Sequence, residues 1–158
     1  VEFCQAVVEG REHEALAPLA ASTVARPAEA LQSPVRAEPE ISPEYIFGWA
    51  EDEGARSYVE THITRLAHTL RIIPPGNADQ RILEMGAYLQ ITPALQSKLG
   101  YGEVRGCYYG KLGDSDRKEV VSSEGERFVC DIDHFDAERD PFPYPDEHFD
   151  SVLCCELI

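Results

Sequence analysis

The sequence predicts an α/β domain built on a doubly wound, largely parallel sheet, and three observations predict it. A short apolar run closed by an acid and a glycine, Arg81-Ile82-Leu83-Glu84-Met85-Gly86, reads as a buried strand. A helix start and a second apolar run follow it within about 30 residues, the strand–turn–helix–strand order of a βαβ unit. Two further short strands then come, one closed by acids at Asp131-Ile132-Asp133 and one running from Phe149 to Cys155. Sheets of this kind gather ligands at the carboxyl ends of their strands, which singles out Glu84 to Leu89.

Composition sets the outer bounds. At 158 residues the chain has the length of one domain. Apolar residues make up 43% and charged residues 27%, which excludes whole-chain disorder and a coiled coil. Twenty-nine acids against 14 bases leave a formal charge of −15, which repels a phosphate backbone, so no nucleic-acid partner is expected. No run approaches the roughly 18 apolar residues of a membrane span, so no membrane association is expected either. The five cysteines show no disulfide spacing; Cys154 and Cys155 are adjacent, and Cys4, Cys107 and Cys130 sit beside apolar residues. That usage suits a reduced, cytoplasmic protein. The chain opens on Val1 with acids in place of a signal peptide, and its one methionine is Met85, so a processed or partial chain is expected.

Each element has a local reason. Residues 1–41 form an Ala/Pro-rich arm or linker, punctuated by Pro18, Pro27, Pro34 and Pro39, with a short helix possible between Phe3 and Leu19. Ser42-Pro43 is an N-cap followed by proline at the first helical position. A longer helix spans about Asp52 to Arg71, with Val59, Ile63, Leu66 and Leu70 on one stripe, and Pro74-Pro75-Gly76 ends it. Its histidines, His62 and His68, lack partners at metal spacing and read as surface or half-buried groups. Thr92-Pro93 reads as a second cap-plus-proline start, and Gly100 stands where a helix C-cap is expected. Val104 to Tyr109 is the second strand. Glu119-Val120-Val121 and Arg127-Phe128-Val129-Cys130 flank Ser122-Ser123-Glu124-Gly125, either a hairpin or a loop into a third strand. The acids between Asp131 and Asp150 form a solvated connection, and their spacing with His134 fits no zinc or calcium site, so no metal is expected.

With these pieces in order, the chain resembles a class I S-adenosylmethionine-dependent methyltransferase of the subgroup that acts on small molecules and sugars. The resemblance covers about Tyr58 to Ile158 and rests on two blocks. One is Ile82-Leu83-Glu84-Met85-Gly86-Ala87; the other runs from Pro141-Phe142-Pro143 through Phe149-Asp150 to Glu156. It implies a Rossmann-like sheet preceded by helices, with residues 42–158 forming an incomplete domain. Such domains have seven strands, and this chain ends after the fourth; an open sheet edge there is a hazard for a free-standing protein.

The resemblance also implies site roles. The bound group is S-adenosylmethionine, and the second ligand is a small-molecule methyl acceptor. Gly86 admits the backbone close to the amino-acid tail, and Glu84 faces its ammonium, with Met85, Ala87 and Tyr88 completing the turn. Asp131 takes the adenine amino group and Ile132 packs on the ring. Tyr108 stands where the family carries a ribose-binding acid; one hydroxyl in place of a carboxylate weakens that grip by roughly 1–2 kcal/mol. Asp114 or Asp116 is placed to reach in from the following loop. Cys154, Cys155 and Glu156 line the floor, and Asp150 anchors its strand. Glu156 and His148 are the candidate general bases, with His134 behind them. Two other readings stay open: a non-catalytic module of the same fold, tethered to a partner or to a second copy through the arm, and a nucleotide-dependent oxidoreductase. The latter lacks the three-glycine fingerprint.

Overall fold

A computed structural model describes residues 41–155. The expected arm at 1–41 therefore lies outside the described residues except at Ile41, which is buried in the core. Helix α1 spans Pro43–Phe47, and its Ser42 cap accepts the Tyr45 N–H at 3.2 Å. Helix α2 spans Glu53–Ile72; Asp52 caps it by accepting the Ala55 N–H at 2.7 Å. It stops at Ile73, whose extended backbone is what a residue preceding proline adopts. Val59, Leu66 and Leu70 are buried along its inner face and Ile63 packs beside them, as the stripe predicts.

Five strands follow: β1 Arg81–Met85, β2 Glu103–Tyr108, β3 Ser115–Val121, β4 Arg127–His134 and β5 Ser151–Cys154. Helix α3, Thr92–Ser97, connects β1 to β2. Its cap is Ile91, not Thr92, and no side chain closes its first turn. The Thr92 side chain is fully buried instead, which takes its hydroxyl away from capping. The C-cap of α3 is Lys98, not Gly100; Gly100 (φ 85°), two residues on, takes the left-handed conformation that glycine allows, and its N–H donates to the Gln96 carbonyl.

The sheet order is β3-β4-β2-β1-β5. Strands β4, β2, β1 and β5 are parallel, and β3 returns antiparallel along β4. The open alternative at residues 119–130 is thus a hairpin, turning at Gly125 (φ 83°). It supplies an extra edge strand, so β5 is the fourth strand of the parallel series. The result is a mixed α/β arrangement on a mostly parallel five-stranded sheet, compatible with a Rossmann-like fold.

Side-chain alternation splits the core between the sheet's faces. Ile82 shares one core cluster with Val59 and Leu70 of α2 and Leu95 of α3. Leu83, one residue on, points the other way and packs with Cys107 and Phe135. A third group gathers Val120, Phe128 and Ile132 of the hairpin with Trp49, just past α1, and Tyr45 of α1 packs against it. Among the described residues, no helix is long and apolar enough to cross a membrane, and the four cysteines are free thiols.

The winding locates the site. From β1 the chain steps outward to β2 and β4, then returns to lay β5 on β1's other side. The strand order reverses at β1, and a crevice opens at the carboxyl end of the sheet at such a point.

Candidate functional site

A cavity of about 1100 Å³ occupies that crevice. Its floor is built by the end of β1. Glu84 follows Ile82 on the helix-covered face and is 5% exposed, with its Oε2 lacking any hydrogen-bond partner. Burial pushes its carboxyl up to about 7, and the neighbouring Thr92 side chain opposes that rise. The Thr92 hydroxyl is itself buried without a full hydrogen bond. A carboxylate in this state gains from any cation brought within reach.

The turn after β1 forms the next wall. Gly86 sits at φ 71° and Leu89 at φ 67°, so one glycine and one leucine hold left-handed backbone within four residues. For leucine this is strained backbone of the kind that clusters at ligand sites. The Gly86 and Ala87 N–H groups both donate to the Cys107 carbonyl, at 2.9 and 3.2 Å, which ties the turn to β2. Glu84, Met85, Gly86 and Tyr88 all line the cavity. Ala87 does not: it is buried under the turn against Gly106.

Strand β2 contributes Cys107 and Tyr108. Burial raises the Cys107 thiol to about 11, so it stays protonated near neutrality. The Tyr108 hydroxyl lies 2.6 Å from that of Tyr88, with the rings edge-to-face at 5.2 Å. Neither Asp114 nor Asp116 joins them. Asp114 lines a separate, smaller recess, and Asp116 lies 3.2 Å from His134 Nε2.

The structure corrects the acid expected from β4. Asp131 is not at the strand end, because β4 runs on to His134. The register Gly106↔Ile132 sets Asp131 below the cavity, where it pairs with Arg117 of β3 at 3.2 Å. Ile132 is buried in the core and likewise does not line the cavity. Phe135 and Asp136, just past the strand, do line it. Asp136 is fixed by a local turn in which its Oδ1 accepts the Glu138 N–H at 3.0 Å. The alternation Phe128, Cys130, Ile132 carries the strand past Asp131 and was the signal for this longer reading.

The candidate bases fare differently. His148 precedes β5 and therefore stands at the amino edge of the sheet, away from the cavity. It lies parallel to Tyr144, 6.0 Å away, with Nδ1 3.3 Å from an Arg81 nitrogen. His134 lies in the smaller recess. Glu156 lies outside the described residues. Cys155 does line the cavity and its thiol is 3.7 Å from the Thr69 hydroxyl, whereas Cys154 is exposed on the sheet and absent from the lining. Asp150 accepts the Arg81 N–H at 2.7 Å, the strand-anchoring contact that the resemblance implies.

Sequence reasoning missed Trp49, Tyr58 and Asp136, all of which face the cavity. Tyr58 comes from α2, 30 positions before Tyr88, and their rings stand 6.2 Å apart. Among the described residues, no group of three or more His, Cys, Asp or Glu side chains is gathered to hold a metal ion. Comparisons with protein-family models, curated proteins and solved structures find no match for this chain.

Proposed function

We propose that this domain binds S-adenosylmethionine and directs its methyl group to a small acceptor. One observation carries the reading: Glu84, a buried carboxylate with an unpartnered oxygen, opens into the switch-point cavity. That donor set fits a ligand with a positive end. Glu84 would hold the ammonium, and the Gly86 turn would lie along the amino-acid tail. Tyr108 would meet the ribose, and Phe135 with Asp136 would take the adenine, the ring on an apolar face and its amino group on a carboxylate.

When bound, the cofactor supplies a methyl group already activated by its sulfonium sulfur. The chain's own task is then alignment and exclusion of water. Met85, Leu89 and Phe135 give the cavity apolar walls. Cys107, kept as a neutral thiol, does not compete as a nucleophile. Glu84 ionises as it pairs with the incoming cation, which releases a proton below pH 7.

A second reading, a non-catalytic module of the same fold, is favoured by the bond between Tyr88 and Tyr108, which occupies the hydroxyl that the ribose needs. No observation favours the oxidoreductase.

Calorimetric titration with S-adenosylmethionine separates the two. The expected result is micromolar binding, weakened at least tenfold in both Glu84→Gln and Asp136→Ala while far-UV circular dichroism is unchanged. A folded protein that binds no cofactor overturns the proposal.

A further inference from the structure

The cavity, at about 1100 Å³, lies at the top of the size range of single-ligand sites, so it has room for a second molecule. We infer that this second molecule carries a cationic group, held against Tyr58 and Tyr88 beside Glu51 and Asp52. The inference rests on the reading above, because it names the chemistry of the acceptor.

Charge is the first support. Beyond Glu84 and Asp136, which the reading above gives to the cofactor, the lining carries three carboxylates, those of Glu51, Asp52 and Glu138, against the two guanidiniums of Arg65 and Arg139. Two of these acids are fixed by backbone. Glu51 Oε1 accepts the Val121 N–H at 3.2 Å, and Asp52 Oδ1 accepts the Ala55 N–H. A phosphorylated or carboxylated acceptor entering there meets like charge, which costs binding. A cation is drawn in by the wall and by the chain's formal charge of −15.

The aromatic wall is the second support. Tyr58 and Tyr88 stand with ring centroids 6.2 Å apart, and Tyr88 leads on to Tyr108 at 5.2 Å. Tyr88 is 59% exposed, so its ring is open to an incoming group. A tyrosine face is the negative side of its quadrupole and attracts ammonium groups. This protein already makes such a contact elsewhere, with Lys98 Nζ 4.5 Å from the Tyr45 ring centre. Acids without aromatic faces would attract any cation weakly; the two together select an organic one.

The probes are 2-phenylethylammonium, its anionic counterpart 3-phenylpropionate, and neutral 2-phenylethanol. Each is titrated by calorimetry into free and cofactor-saturated protein. The ammonium is expected to bind the saturated protein at least tenfold more tightly than the carboxylate, with the alcohol between them. Raising salt from about 50 to about 500 mM should weaken it severalfold. Tyr58→Leu should lose at least fivefold and Tyr58→Phe should keep most of the affinity; Glu51→Gln should reduce it without altering the circular dichroism. Equal affinity for ammonium and carboxylate overturns the inference. So does an ammonium that binds only in competition with the cofactor, since the acids would then serve the cofactor alone. Cofactor titration comes first, and its failure falls on the function reading. The ammonium–carboxylate contrast on free protein then still decides whether the cavity selects cations.

Discussion

Arg105 and Asp133 face each other across β2 and β4, the guanidinium donating to both oxygens of the carboxylate, with Nη2 to Oδ1 at 2.9 Å. The Tyr144 hydroxyl donates to the same carboxylate at 2.8 Å, which fastens the loop before β5 onto the sheet. Arg105 holds the Asp133 carboxyl below the usual range. A depressed carboxyl contributes stability above its unfolded pKa of about 3.9 and loses it as the pH falls through the folded value. Asp133→Asn should therefore cost about 1.5–3 kcal/mol at pH 7. Urea midpoints near pH 7 and near pH 3 test this. A penalty that persists undiminished in acid would show that charge is not the cause.

Glu84 has the opposite sign. Its carboxyl is raised in the fold to about 7, so the folded protein binds a proton more tightly than the unfolded chain. Stability then declines as pH rises from about 4.5 to 7 and stays low above that. Removing the charge with Glu84→Gln should stabilise the free protein at pH 8, on the order of 2 kcal/mol, with the gap closing near pH 5. Melting curves at the two pH values decide it. A wild-type protein more stable than the variant at pH 8 would mean that Glu84 is ionised and paired.

Gly106 is required by close approach. A Cβ there would stand 2.8 Å from Ala87 Cβ and 3.3 Å from Ile132 Cγ1. Gly106→Ala should cost about 1–3 kcal/mol by pushing the β1–α3 turn off β2. Adding Ala87→Gly should return part of the loss, which chemical denaturation of the single and double variants measures.

Asp150 joins the starts of two strands, accepting the Arg81 N–H and donating its own N–H to the Arg81 carbonyl at 2.9 Å. The side chain is exposed, so Asp150→Ala should cost only about 1 kcal/mol. Because it stands at the amino edge of the sheet, cofactor affinity should stay near that of the wild-type protein. A large loss of binding with intact stability would assign it a different role.

What was legible in the sequence follows from periodicity and local caps. The α2 stripe, the Ser42 cap, the β1 run into Gly86 and the strand before Cys155 are each written within a few neighbouring residues. Asp136 was hidden because an acid near a strand end does not reveal where the strand stops; the backbone pairing with β2 does. Thr92 looked like a cap, yet the packing of α3 buries it. The tyrosines were illegible as a group. Tyr58, Tyr88 and Tyr108 lie 20 to 30 positions apart, and only the winding of the sheet brings their rings together. His148 failed for a related reason, since closeness in sequence to β5 put it at the wrong end of that strand.

Trp49 is the chain's single tryptophan, 4% exposed, set edge-on to Tyr45 and Phe128 and facing the cavity. The molecule thus carries an internal fluorophore at the junction of helix, hairpin and ligand space. Its emission reads out global unfolding as a red shift, when water reaches the indole, and cavity occupancy as a change in intensity with little shift. The two signals are separable in one cuvette, so titration and denaturation can be followed on unlabelled protein without altering any wall of the site.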